Sequence, residues 1–125
     1  MNMDKGSSEI EIGANRSRRN ILLKGRRNSL ALEQQVWDAI LEICSREDLT
    51  LDELCAHVAD RRVNSSVSSA IRVFLLTYYR QISSSLERGQ SLHIHDESNS
   101  PDSISPMMAH ILTVFAEQQA KFAAE

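Results

Sequence analysis

Residues 28–46 read NSLALEQQVWDAILEICSR and contain the change of hydrophobic period that decides the fold. Over the first five residues, apolar and polar side chains alternate, and Leu30 and Leu32 lie on one face, as in a half-buried strand. From Glu33 to Arg46, the apolar residues recur every three or four positions, as on one face of a helix. The sequence therefore predicts a short strand that runs directly into an amphipathic helix.

Three further helices are predicted after this one. Thr50 and Glu53 have the spacing of a capping box, in which each side chain accepts a hydrogen bond from the other residue's backbone N–H, so a second helix begins there. A third helix is predicted over residues 66–82, and its apolar surface is wide enough to contact two neighbours. Ser105 and Pro106 are a suitable N-cap and first helical residue for a C-terminal helix.

The single predicted strand has no partner in its own chain. An unpaired strand edge is unstable, so we expect this strand to pair with a second copy of the chain. Aromatic residues make up only 5% of the 125 residues, which leaves few bulky side chains for a monomeric core. Both observations favour a homodimer.

Positive charge is concentrated near the N-terminus. Residues 1–27 carry seven basic and three acidic side chains, whereas residues 28–125 carry seven and fourteen. A basic segment on an acidic body is typical of a protein with a polyanionic partner, and a solvated tail is the alternative. The side chains expected to contact phosphates are Arg16, Arg18, Arg19, Lys24 and Arg26.

Composition divides the chain into four segments. Residues 1–24 are predicted to be a flexible basic arm, and residues 25–82 the folded domain. Residues 83–104 are rich in serine and read as a linker. Residues 105–125 form the C-terminal helix, which either folds back onto the domain or binds a partner protein.

Candidates for catalysis or metal binding are weak. His93 and His95 lie in the predicted linker without a nearby cysteine, which is more typical of a solvated polar stretch than of a metal site. Cys44 and Cys55 occupy apolar positions, and no orienting group or oxyanion site accompanies them. We expect no enzymatic activity, no metal and no cofactor.

Four stretches carry a family resemblance: GRRNSL at 25–30, LALEQQVWDAI at 30–40, LTL at 49–51 and SSAIRVF at 68–74. In this order they resemble the ribbon-helix-helix DNA-binding proteins, in a bacterial branch with an added third helix, over about residues 25–82. The resemblance implies a mainly helical dimer in which two protomers pair their strands antiparallel. It also implies that this ribbon enters the major groove of double-stranded DNA, with assembly of further dimers on the DNA left open.

The alternation of the strand then selects the residues that face the bases. If Leu30 and Leu32 point into the dimer core, Arg27, Ser29 and Ala31 point outward. Arg27 suits guanine, Ser29 donates or accepts, and the methyl group of Ala31 fits a thymine methyl. Family members often carry a longer polar residue at the position of Ala31, so a more apolar code is expected. The residues assigned to the dimer core are Leu30, Leu32, Val36, Trp37, Ile40, Leu54 and Phe74.

The resemblance also implies a phosphate clamp at the start of the second helix. Backbone N–H groups at Thr50 and Leu51 occupy the position that holds a DNA phosphate in that family. Asp52 and Glu53 follow at once and would repel a phosphate. A plain helix cap is therefore the alternative.

Together these features predict a bacterial transcriptional regulator, in particular a repressor that occupies a short pseudo-palindromic operator. The alternative is an antitoxin-like interaction protein that dimerises through its N-terminal half and binds a partner through residues 83–125. No apolar run approaches the roughly 20 residues of a membrane span. We expect a cytoplasmic protein that is associated with the nucleoid when bound to DNA.

Overall fold

A computed structural model of the chain describes residues 15–89 and 104–123. Two strands are followed by four helices. The elements are β1 (Arg16–Leu23), β2 (Arg26–Glu33), α1 (Gln34–Glu47), α2 (Leu51–Arg61), α3 (Val67–Glu87) and α4 (Pro106–Ala123). A mainly helical chain with a small N-terminal sheet confirms the predicted fold class.

The two strands form an antiparallel hairpin, so the strand predicted to be alone has a partner in its own chain. The expectation of a flexible arm over residues 1–24 is therefore wrong for residues 16–23, which are β1. Lys24 and Gly25 make the two-residue turn, with φ of 53° and 78°. Both values are left-handed, as the type I′ turn of a tight hairpin requires. Gly25 adopts its value without steric cost because it has no Cβ.

The helices begin where the sequence predicts. In α2, the backbone N–H of Thr50 donates to the Glu53 carboxylate at 2.8 Å, and the N–H of Glu53 donates to the Thr50 hydroxyl at 3.1 Å. Helix α3 continues to Glu87, so the first residues of the predicted linker are helical. Residues 90–103 of that linker, which include His93 and His95, lie outside the described residues.

One hydrophobic core joins the hairpin to all four helices. Phe74 of α3 lies at its centre and meets the Phe115 ring edge-on, with 5.8 Å between ring centroids. Of the residues assigned to a dimer core, Val36 is partly buried and the other six are buried within a single chain. These side chains therefore stabilise the protomer itself.

Helix α4 packs across α2 and α3. Its buried face consists of Met108, Ile111, Leu112 and Phe115, each 0–1% exposed. The C-terminal helix thus folds back onto the domain, which was one of the two arrangements that the sequence left open.

A buried carboxylate holds the start of α4 in place. Glu47, at the end of α1, accepts hydrogen bonds from the Tyr78 hydroxyl at 2.7 Å and the Ser105 hydroxyl at 2.9 Å. The Ser105 oxygen in turn accepts from the N–H of Met108, as an N-cap does. Burial, with the hydrogen bond to Glu47, raises the pKa of Tyr78 well above its usual range.

Candidate nucleic-acid interface

The hairpin has one face on the core and one face in solvent. Ile21, Leu30 and Leu32 point toward the helices and are buried. Because the register pairs Arg18 with Ala31, Asn20 with Ser29, and Leu22 with Arg27, those six residues share the opposite face. We call this face, together with Arg16 and Glu33 at its end, the outer face of the hairpin.

The three residues predicted to read bases all lie on this outer face. Arg27 and Ser29 are exposed and Ala31 is partly exposed, whereas Leu30 and Leu32 are buried. The strand alternation that the sequence suggested is therefore the one that the structure has. Their contact with DNA stays a prediction.

Besides Arg16, three residues of the outer face lie on β1 and were missed as strand positions by sequence reasoning. Arg18 was placed in a flexible arm, and Asn20 and Leu22 were given no role. All three are exposed, and a guanidinium nitrogen of Arg18 donates to the Ser29 hydroxyl at 3.3 Å. The glycine at the turn was the available signal for a hairpin.

The residues predicted to contact phosphates are divided between different surfaces. Arg16 pairs with Glu33 at 3.4 Å on the outer face, and Arg19 lies on the opposite face, 5.4 Å from the Trp37 ring centroid. Lys24 and Arg26 line a cleft of about 420 Å³ between the turn and the C-terminal end of α2. Of these five residues, only Arg18 projects from the outer face without a carboxylate partner among the ion pairs found in the described residues.

Glu33 connects the sheet to α3. Arg72 donates two hydrogen bonds to one Glu33 oxygen, at 2.9 and 3.1 Å, and Arg16 approaches the other oxygen. Hydrogen bonds from its own backbone and from Arg72 lower the pKa of Glu33. The carboxylate therefore stays ionised and offsets part of the positive charge at this end of the hairpin.

The start of α2 differs from an open phosphate clamp. The N–H of Thr50 is bound by Glu53, and the Asp52 carboxylate accepts a hydrogen bond from the backbone N–H of Leu22 at 3.0 Å. Two carboxylates thus lie in the first turn beside Leu51. A role for Thr50 and Leu51 in phosphate binding stays a prediction.

The buried thiols are poorly suited to chemistry. Burial raises the pKa of Cys44 to about 11 and that of Cys55 to about 12, so both are thiols near neutral pH. In the part of the chain that the structure describes, no group of three or more His, Cys, Asp or Glu side chains is arranged to hold a metal ion. Among the described helices, none has both the length and the apolar character needed to cross a bilayer.

Comparison with known proteins gives the family. The family model described as "Ribbon-helix-helix domain" matches residues 16–79, from the first strand through most of α3. The chain belongs to the ribbon-helix-helix family. The matched region begins at β1, so the ribbon-helix-helix domain of this protein includes β1 as well as β2.

Ribbon-helix-helix domains typically bind DNA as dimers, and the family supports a DNA-binding regulator or an antitoxin-type protein, typically without enzymatic activity. A structural comparison finds an uncharacterized protein from Bordetella pertussis Tohama I, at 26% identity and a TM-score of 0.48. The match covers 55% of this chain and spans 59% of the length of that protein. No curated protein matches the sequence.

Proposed function

We propose that this ribbon-helix-helix protein is a homodimeric, sequence-specific DNA-binding regulator, in particular a repressor of transcription. The observation that carries the proposal is the outer face of the hairpin, where Arg27, Ser29 and Ala31 project into solvent from one strand. An Arg, a hydroxyl and a methyl group are side chains that can discriminate base edges in the major groove. The core behind this face holds the strands in a fixed position for such recognition.

The free edge of β2 supports the dimer. The Leu22 N–H binds Asp52 and so points away from β2. Because N–H directions alternate along an antiparallel pair, the N–H groups of Arg27, Ser29 and Ala31 point away from β1. Among the described residues, β2 has only β1 as a neighbouring strand. We propose that the free edge pairs with β2 of a second copy, which gives a four-stranded sheet with both β2 strands at its centre.

Substitution of Ser29 by proline tests this dimer. Proline removes an N–H that the hairpin does not use and places a ring on the free edge. We expect Ser29→Pro to be monomeric in sedimentation experiments while its far-UV circular dichroism is unchanged, and Ser29→Ala to stay dimeric. A dimeric Ser29→Pro protein with an intact spectrum would contradict pairing at this edge. Leu30→Asp is a poorer test, since Leu30 is buried in its own chain and the charge would destabilise the protomer.

DNA binding is proposed to have two contributions, one from phosphates and one from bases. The basic residues of the hairpin supply a salt-dependent attraction to phosphates, which is similar for all sequences. Arg27, Ser29 and Ala31 of each protomer supply the discrimination between bases. The first test is fluorescence anisotropy with a pool of genomic fragments, including the upstream region of the gene, at two salt concentrations. Tight binding to one fragment that persists at the higher salt supports the proposal, and uniform binding that is lost with salt contradicts it.

Arg27→Ala is the matched test of base reading. With the selected fragment, we expect a loss of about 1–3 kcal/mol in binding free energy and a relaxed preference at one base position. Lys24→Ala, at the turn, should weaken binding to all fragments similarly. Equal losses on specific and non-specific DNA after Arg27→Ala would contradict a reading role for this residue.

The alternative is an antitoxin-like protein that binds a partner through residues 83–125, and the packing of α4 speaks against this binding. That interpretation needs an apolar surface on the C-terminal helix for a partner, but the apolar face of α4 is used within the core. We therefore favour the regulator, acting in the cytoplasm and on the nucleoid. Deletion of residues 105–125 does not separate the two functions, because it would remove part of the core.

A further inference from the structure

We propose that β1 is the phosphate-contacting strand of the DNA interface, with Arg18 and Asn20 donating to phosphates along the walls of the major groove while β2 reads the bases. This inference rests on the proposed function. It gives a role to a strand that the sequence did not predict. It also gives a role to Asn20, which base reading by β2 leaves unused.

The spacing of strands places β1 over the groove walls. Neighbouring strands lie about 4.8 Å apart, so the two central β2 strands of the proposed dimer fit within a major groove about 12 Å wide. The two outer β1 strands are then about 14 Å apart. With the strands along the groove, each β1 lies beyond its edge, where the phosphates are.

The side chains of β1 suit phosphates. Arg18 and Asn20 are exposed on the same face as the reading residues, and the register sets them beside Ala31 and Ser29. The guanidinium of Arg18 has five N–H donors, of which the contact with Ser29 uses one. Asn20 adds a neutral amide donor. Arg16, at the end of the strand, is already paired with Glu33 and contributes less.

β1 is held rigidly enough for this role. One edge pairs with β2, and at the other edge Asp52 accepts from the N–H of Leu22. The indole N–H of Trp37 donates to the Ser17 carbonyl at 3.0 Å, and the N–H of Gln34 donates to the Asn15 carbonyl at 2.8 Å. A strand fixed in this way loses little further entropy when it contacts DNA.

The start of α2 is poorly suited to hold a phosphate, and this leaves the role of phosphate binding to β1. The first turn of α2 carries two carboxylates, and the N–H of Thr50 is already bound. An anion at this helix start would meet like charge, which opposes the attraction of the helix dipole. β1 presents two donors on its outer face and has no acidic side chain from Ser17 to Leu23.

The experiment measures how binding of the selected fragment depends on salt, together with base preference, for single variants of the full chain. We expect Arg18→Ala to lower the slope of log Kd against log salt by about 1 and to leave base preference unchanged. Asn20→Ala should weaken binding about two- to tenfold at every sequence without changing the slope. Asn28→Ala is the matched control, because Asn28 lies on the opposite face of the hairpin. Arg80→Ala, at an exposed position of α3, controls for loss of charge.

The outcomes separate this inference from the proposed function. A changed base preference in Arg18→Ala or Asn20→Ala, with the slope unchanged, would place β1 inside the groove and overturn the inference. It is also overturned if Arg18→Ala behaves like Arg80→Ala while Arg27→Ala still relaxes base preference, and in that case the proposed function stands. A wild-type protein that prefers no fragment overturns both.

Discussion

Phe115→Ala is expected to lower the free energy of unfolding by about 3–5 kcal/mol, as measured by urea denaturation followed by circular dichroism. The Phe115 side chain is fully buried and meets the Phe74 ring edge-on at 5.8 Å. Its removal leaves a cavity where α4 meets the rest of the core, and the loss of the aromatic pair adds to the cost. The result would show that the C-terminal helix is part of the folded domain.

Phe122→Ala is the matched control in the same helix. Phe122 is 61% exposed, and its ring lies 5.6 Å from the Lys121 ammonium. The expected change in unfolding free energy is below about 1 kcal/mol. Equal and small effects of both substitutions would mean that α4 does not pack on the domain in solution, and the arrangement of Glu47 and Ser105 would then be wrong as well.

Trp37→Ala is expected to cost about 3–5 kcal/mol of unfolding free energy and to loosen β1 in particular. The indole is fully buried, its N–H binds the Ser17 carbonyl, and the Arg19 guanidinium lies over the ring. Trp37 therefore connects α1 to the first strand. Hydrogen exchange should show that the amides of residues 16–23 lose more protection than those of α3.

Trp37→Phe separates the apolar packing of this side chain from its hydrogen bond to Ser17. Phenylalanine keeps most of the apolar contact and removes the donor to Ser17, so we expect a smaller loss of unfolding free energy, about 1–3 kcal/mol.

If the amides of residues 16–23 exchange in the wild-type protein as fast as those of an unfolded peptide, β1 is not docked. The inference that β1 holds phosphates would then lose its structural basis.

The β2 to α1 transition could be predicted because its signals are local. The alternation at Leu30 and Leu32 and the helical spacing that follows are properties of neighbouring residues. The capping box of Thr50 and Glu53 spans four residues and was found for the same reason. The side chains that face outward from β2 follow from the same alternation.

β1 could not be predicted in this way. Its sequence, RSRRNILL, has no sustained period of two, and the turn is Lys-Gly rather than the more diagnostic Asn-Gly or Asp-Gly. The strand forms because Ile21 is buried against the core and Leu22 binds Asp52, thirty residues away in sequence. Such long-range contacts leave no local pattern.

The position of α4 is likewise decided by contacts between residues that are distant in sequence. The sequence shows an amphipathic helix beginning at Ser105, but a helix with one apolar face packs equally well on its own domain or on another protein. Tyr78 and Ser105, on different parts of the chain, both donate to the Glu47 carboxylate only in the folded chain. That contact, with the burial of Phe115, decides the choice.

By itself, the sequence determined the elements whose side chains repeat with the period of a strand or a helix, the caps between them and the outward row of β2. Only the tertiary structure decided that Arg18 and Asn20 share that outer face and that α4 completes the core. The physical reason is that hydrophobic periodicity and capping act over a few residues, whereas strand pairing and helix docking depend on burial shared between distant parts of the chain.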